Sequence, residues 1–284
     1  MSWNHFRRCS AALMLWLVAA GVQAAEIKPL TFGLFPNLSP RTLATLYQPM
    51  RDFLEHELGR PVELATAVNF NAFTQRLLAR EYDLVVAAPH LARLGQTEAG
   101  YRLLAHYEQP LQAYWVVPVK SNLQRLPDLA GKRVAVPDRM ALVTMLGLSL
   151  LSRAGLEADR DYRLIEARSH NNAAVTVLNG EADVAVIGSV PLSQLAGEIR
   201  AQLRIIGQSQ AIPSQYFAVS DRLSEPDCAR IEQALFKFAA SLAGQKFLHQ
   251  FAMHGLVKAK PNELKGMDAY AKQVRQMLSQ SVVP

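Results

Sequence analysis

The chain has 284 residues, half of them hydrophobic, with 30 basic against 24 acidic side chains and a formal charge of +6. That length suffices for one large domain or two lobes with real cores. No basic cluster with interleaved aromatics occurs, which argues against nucleic acid as a partner, and two cysteines exclude a disulfide-stapled scaffold.

Residues 1–24 read as a cleavable export signal. Arg7 and Arg8 form its positive start, and "AALMLWLVAAG" (Ala11 to Gly21) is an apolar core too short to span a bilayer. Val22-Gln23-Ala24 is a small-x-small cleavage site, and Cys9, ahead of the apolar core, is badly placed for lipid attachment. Cleavage removes two arginines and no acid, lowering the charge from +6 to +4, and leaves Cys228 without a disulfide partner. An exported protein without disulfides fits the bacterial periplasm.

"LTFGLF" (Leu30 to Phe35) predicts a strand ended by Pro36-Asn37, and Leu43 to Gly59 a helix in which Pro49 is an awkward kink. Pro61 to Val68 predicts a strand, Asn71 to Tyr82 a helix, and Asp83 to Pro89 a strand. The order then recurs: strand Arg133 to Pro137, helix Ala141 to Gly155, strand Tyr162 to Ala167, helix Asn171 to Ala182 and strand Asp183 to Gly188. A shift of 100 residues relates Glu81, Asp83, Leu84 and Val86 to Glu181, Asp183, Val184 and Val186, and Phe70-Asn71 to His170-Asn171. Strands alternating with helices predict parallel sheets in an α/β fold.

Strand-like runs in 101–122 and 203–223 are candidate crossings between two such units. Helices are expected over Pro226 to Phe251 and Met267 to Gln280. The expected division is a discontinuous first lobe, 25–112 plus 206–284, and a second lobe, 113–205. Two lobes joined by paired strands make a cleft that closes on a ligand.

In parallel sheets ligands sit beyond the carboxyl ends of strands, where loops meet helix N-termini. The candidate ligand residues there are Asn37, Ser39, Phe70, Pro89, His90, Arg139, Ala141, Thr144, His170 and Ser189. His170 stands beside Ser169 and Asn171 just ahead of a helix, where imidazole and helix N–H groups could hold an oxyanion; otherwise it is a surface residue next to a capping side chain. Phe70 could wall the cleft or belong to a core. Arg139 could pair with an anion, and Asp138 most simply caps the helix that follows. Tyr114, Trp115 and Tyr216 fit either a cleft wall or a core.

Nothing in the sequence points to catalysis or a cofactor. There is no GxSxG elbow, P-loop or HExxH, and the seven histidines show no zinc-ligand spacing. Cys228 lies in a helical segment and reads as core.

From Leu30 to Leu256 the chain resembles periplasmic solute-binding proteins of the phosphate/phosphite/phosphonate (PhnD-like) family. The likeness rests on "FGLFPNLSP", "YQPMRDFLEHELGRPVEL", "NFNAFTQRLLAREYDLVVAAPHLA", "LPDLAGKRVAV" and "SHNNAAVTVLNGEADVAVIG", in that order. It implies the type II periplasmic-binding-protein fold, two α/β lobes with a ligand cleft between them, and delivery of a small molecule to an ABC permease complex by a monomer. A sensor presenting its closed form to a membrane receptor kinase is the alternative, and an enzyme on the same fold a more distant one. Family members carry Ser-Thr-Ser-Gly where this chain has Ala141-Leu142-Val143-Thr144, and a tyrosine where it has Phe70. The family's oxyanion-contacting histidine is matched by His170. A buried donor or acceptor left unpaired costs on the order of 1–3 kcal/mol. The expected ligand is therefore less charged or more apolar than a simple phosphonate, with any anionic group near His170 or Arg139.

Overall fold

The computed structural model describes residues 28–250 and 252–280; the expected export signal lies outside the described residues. The chain opens with β1 (Leu30–Leu34), α1 (Pro40–Leu58), β2 (Val62–Ala65), α2 (Phe70–Leu78) and β3 (Leu84–Ala87). α3 (Pro89–Glu98), β4 (Tyr101–Tyr107) and β5 (Ala113–Pro118) follow. The order recurs as β6 (Arg133–Val136), α4 (Leu142–Arg153), β7 (Arg163–Glu166), α5 (His170–Leu178) and β8 (Val184–Gly188). Short helices α6 (Ser189–Gln194) and α7 (Gly197–Arg200) lead to β9 (Leu203–Gln208) and β10 (Tyr216–Ser220). Then come α8 (Glu225–Ala240), α9 (Leu242–Gln250), β11 (Leu256–Lys258) and α10 (Asp268–Gln280).

Two sheets result, ordered β11-β4-β10-β3-β1-β2 and β7-β6-β8-β5-β9. In each, the three strands of the repeated unit pair in parallel and the others antiparallel. The central strands are buried on both faces, which is why β3 and β8 read as unbroken apolar runs and β10 is apolar up to Ser220. Leu84 and Val86 face one core while Val85 and Ala87 face another. The second sheet repeats this, with Val184 and Val186 on one face and Ala185 and Ile187 on the other.

The similarity at 100 residues has a physical counterpart. Asp83 accepts the backbone N–H of Thr31 at the start of β1, and Asp183 accepts that of Arg133 at the start of β6. Each aspartate also donates its own N–H to the same residue's carbonyl. Arg222 pairs with Asp83 and Arg133 with Asp183. Asn69 and Ser169 cap α2 and α5 with nearly the same backbone angles, φ −159° and −158°.

Each strand-like run splits between the sheets. β4 belongs to the first and β5 to the second; β9 belongs to the second and β10 to the first. The links between them pair through Leu111 and Ile212, whose backbone groups bond reciprocally at 2.7 and 3.0 Å.

Several elements depart from the sequence reading. α1 begins at Pro40 because Ser39 caps it and proline suits the first helical position. Pro49 does not break it: Tyr47, Met50, Leu54 and Leu58 bury one stripe, which outweighs a cost of about 3 kcal/mol for an interior proline. Pro89 starts α3 rather than merely ending a strand. β11, three residues at a sheet edge, is too short to announce itself. Asp138 does not cap α4; its carboxylate accepts the N–H of Met140 at 2.7 Å, closing a turn before the helix.

The helix expected over 226–251 is two helices, α8 and α9, broken at Ser241; Phe251 lies outside the described residues. The Ser241 hydroxyl donates to Phe238 O and accepts from Gly244 N–H. A Cβ on Gly244 would run into the Phe238 carbonyl oxygen, so the bend requires glycine. Gly244→Ala is expected to lower stability by about 1–3 kcal/mol, the usual cost of overpacking, read as a lower urea midpoint; an unchanged midpoint would show that the bend relaxes freely.

Candidate functional site

Because the parallel strands of each unit run the same way, their carboxyl ends release the chain at one edge of each sheet. These edges meet around a cavity of about 270 Å³ between the lobes. Ala88 and Pro89 at the start of α3, Ala141 to Val143 at the start of α4, and Ser169 to Asn171 at the start of α5 all line it. Gly188, the N-cap of α6, does too.

Two of the longer helices present open ends. Ala88 before α3 and Ala141 before α4 offer no side-chain cap. The first-turn N–H groups of α4, which have no intrahelical partner, are therefore left without a capping acceptor at Ala141, and they carry partial positive charge. Ser169 does cap α5, its hydroxyl accepting Asn172 N–H at 3.0 Å, yet His170 still lines the cavity.

The rest of the wall is largely apolar. Phe35 and Phe70 meet edge to face, ring centres 5.8 Å apart, and Leu111, Val190, Leu195 and Met253 add further aliphatic surface. Polar contacts are neutral: Asn37, Asn171, Gln194, Ser214 and Gln215. Among the described residues lining the cavity there is no lysine, arginine, aspartate or glutamate.

Among the described lining residues His170 is the single titratable group. Its Nδ1 accepts the Gly188 backbone N–H at 3.3 Å, so the neutral ring carries its proton on Nε2 as a donor. Burial pushes its pKa down to about 4, so the ring is uncharged at neutral pH.

Of the expected site residues, Asn37, Phe70, Pro89, Ala141 and His170 line the cavity. The others stand outside its wall. Ser39 is exposed and spends its hydroxyl on capping α1. Arg139 turns away to Glu166 and Asp159, at 3.0 and 3.2 Å. Thr144 is fully buried one residue beyond the lining stretch. Ser189 holds the crossing, accepting Gln112 N–H and donating to Pro110 O. His90 is fully buried and bonds Met140 O. Trp115 and Tyr216 are fully buried in the cores, and Tyr114 packs at the edge of another; none of the three lines the cavity. Cys228 is core, as expected.

Sequence reasoning missed Ser214 and Gln215, which follow from their place in the second crossing, and Met253, for which no sequence signal exists. Among the described residues no group of His, Cys, Asp or Glu is placed to hold a metal ion, and no helix is long and apolar enough to cross a membrane.

Two α/β lobes closing on a cavity ringed by helix N-termini define a solute-binding protein with the type II periplasmic-binding fold. The sequence profile of the family described as "ABC transporter, phosphonate, periplasmic substrate-binding protein" matches residues 32–264, and the chain belongs to that family. It is 24% identical over 252 residues to the phosphate-import protein PhnD of Mycolicibacterium smegmatis, covering 77% of this chain and 78% of that one. Its fold matches a binding-protein component of an ABC phosphonate transporter from Pseudomonas aeruginosa, with TM-score 0.75, 16% identity, and coverage of 89% and 96%. PhnD1 from Prochlorococcus marinus, solved with methylphosphonate, gives TM-score 0.78, 14% identity, and coverage of 88% and 99%. These relatives are transporter binding proteins rather than enzymes.

His90 and His170 share one consequence. An unfolded imidazole takes up its proton near pH 6.5, whereas burial holds both of these down to about 4. Between those limits the unfolded chain binds more protons, so their contribution to stability is complete above about pH 6.5 and falls as the pH drops toward 4. Histidine ring resonances followed by NMR are expected to show both rings still neutral at pH 5; titration of either near pH 6.5 would contradict its burial.

Proposed function

We propose that this protein captures a small ligand of low charge, a monoanion or neutral molecule with an apolar part, and delivers it to the permease of an ABC importer. The observation carrying this reading is the cavity wall, which pairs open helix ends and a neutral imidazole with aliphatic and aromatic surface and, among the described residues, no cationic side chain. Helix ends stabilise an anion by about 0.3–1 kcal/mol each, rising to about 2 when partly buried. Burying an ion costs several kcal/mol per charge. Two or three helix ends and one Nε2–H donor can balance one negative charge; a second lacks its counterpart.

The positions that would supply hydroxyls to a phosphonate contribute methyl and phenyl groups instead, from Ala141, Leu142, Val143 and Phe70. The ligand's anionic end, where it has one, lies against the start of α4 and His170 Nε2, and its apolar part against Phe35 and Phe70. The protein works as a monomer, exported by the segment at 1–24. Its lobes divide in the links 108–112 and 209–215, the latter lying beyond β9, which pairs in the second sheet. Binding to both lobes favours the closed form, and only that differential affinity moves the equilibrium.

A thermal-shift screen of the purified protein tests the assignment, since a ligand that binds only the folded state raises Tm. Short alkyl or aryl carboxylates and sulfonates are expected to raise Tm more than phosphite or methylphosphonate. Micromolar or tighter binding of methylphosphonate would overturn the low-charge reading. For a hit so found, His170→Ala is expected to weaken binding about tenfold, the worth of one lost hydrogen bond; unchanged affinity removes His170 from the site.

A further inference from the structure

We infer that His90 and Met140 form a latch between the lobes that positions the open start of α4 against the ligand cavity. His90 is the second residue of α3, on the first lobe; Met140 follows β6 and belongs to the second. His90 Nε2 lies 2.9 Å from Met140 O. A carbonyl only accepts, so the buried ring donates to it. The bond is sealed from water, with His90 fully buried and Met140 7% exposed.

The peptide and the side chain of Met140 do separate things. Its carbonyl takes the bond from His90, while its side chain packs with the first lobe's core, as does that of Met145. The turn bearing it is stiff within its own lobe. Asp138 accepts Met140 N–H, and the neighbouring Arg139 is tied to Glu166 and Asp159. Met140 is thus a peg fixed to the second lobe and seated in the first.

The latch shares its loops with the ligand. Pro89-His90 and Met140-Ala141 are two consecutive pairs. Pro89 and Ala141 line the cavity, while His90 and Met140 hold each other behind it. A change in the separation of the lobes therefore moves the open end of α4 relative to Pro89, and ligand held between Pro89 and Ala141 draws His90 and Met140 together. His90 acts through Met140 on the site and is a positioning residue.

The test needs no ligand, so it stands apart from the ligand assignment. Spin labels at Glu63→Cys and Arg163→Cys, both exposed and on corresponding edge strands, report the distance between the lobes, and buried Cys228 stays unlabelled. His90→Leu, close in shape but without a donor, is expected to shift the distances longer and broaden them. His90→Gln, whose amide nitrogen can reach the Nε2 position, is expected to restore the original distribution. Distances unchanged in His90→Leu, or a folded His90→Gln that matches His90→Leu, would overturn the latch. Should His90→Leu fail to fold, His90→Gln against His90→Asn decides, because the shorter asparagine cannot span to Met140 O. A Gln variant with native distances beside a widened Asn variant supports the latch, and identical distributions refute it.

Discussion

In each lobe three strands run parallel, which obliges every β-to-α turn of that unit to emerge at the same sheet edge, so helix N-termini gather there. Everything functional depends on this. The first-turn N–H groups of α3 and α4 point outward without capping side chains, and the two lobes bring these ends around a common space. Each parallel unit is pinned at its opposite end by a buried or half-buried aspartate, Asp83 or Asp183, bridging neighbouring strands. The open edge is where backbone polarity is left without capping side chains, and the pinned edge is where the register is held.

The two lobes differ in what they hang on that shared plan. Phe70 and His170 occupy equivalent places at the starts of α2 and α5, and both face the cavity. One brings a ring that packs against Phe35, the other a hydrogen-bond donor oriented by Gly188 N–H. Duplicated geometry thus gives the cleft one apolar side and one polar side. The proposed preference for a ligand with two chemically different ends, over a compact tetrahedral anion bonded on all sides, rests on that asymmetry.

Much of the architecture was legible in the chain. The doubled βαβαβ order, the 100-residue offset and the apolar runs of β3 and β8 follow from local pattern, because a strand buried on both faces has to be apolar throughout. His170, Phe70 and Ala141 could be placed at the cavity because a helix start after a parallel strand always faces the same edge. What failed were inferences about which way a side chain turns. Arg139 and Ser39 belong to the right loops, yet Arg139 finds two carboxylates within its own lobe and Ser39 the first turn of α1. A polar residue in a site loop is spent on whichever partner is nearest, and sequence does not show that partner.

His90 marks the boundary between what sequence determines and what tertiary structure decides. The sequence placed it in the loop at the carboxyl end of β3, beside the cavity-lining Pro89, while the structure shows Pro89 opening α3, a first helical position that proline suits. Whether it would meet ligand or protein depended on the approach of a second lobe 50 residues away, where Met140 O lies in reach of its Nε2. The same holds for the cavity as a whole. Local pattern determined that helix ends would be present and that hydroxyls would be missing from the start of α4. Only the tertiary structure decided that, among the described residues, no charged side chain lines the cavity: Arg139, the candidate cation, finds Glu166 and Asp159 within its own lobe.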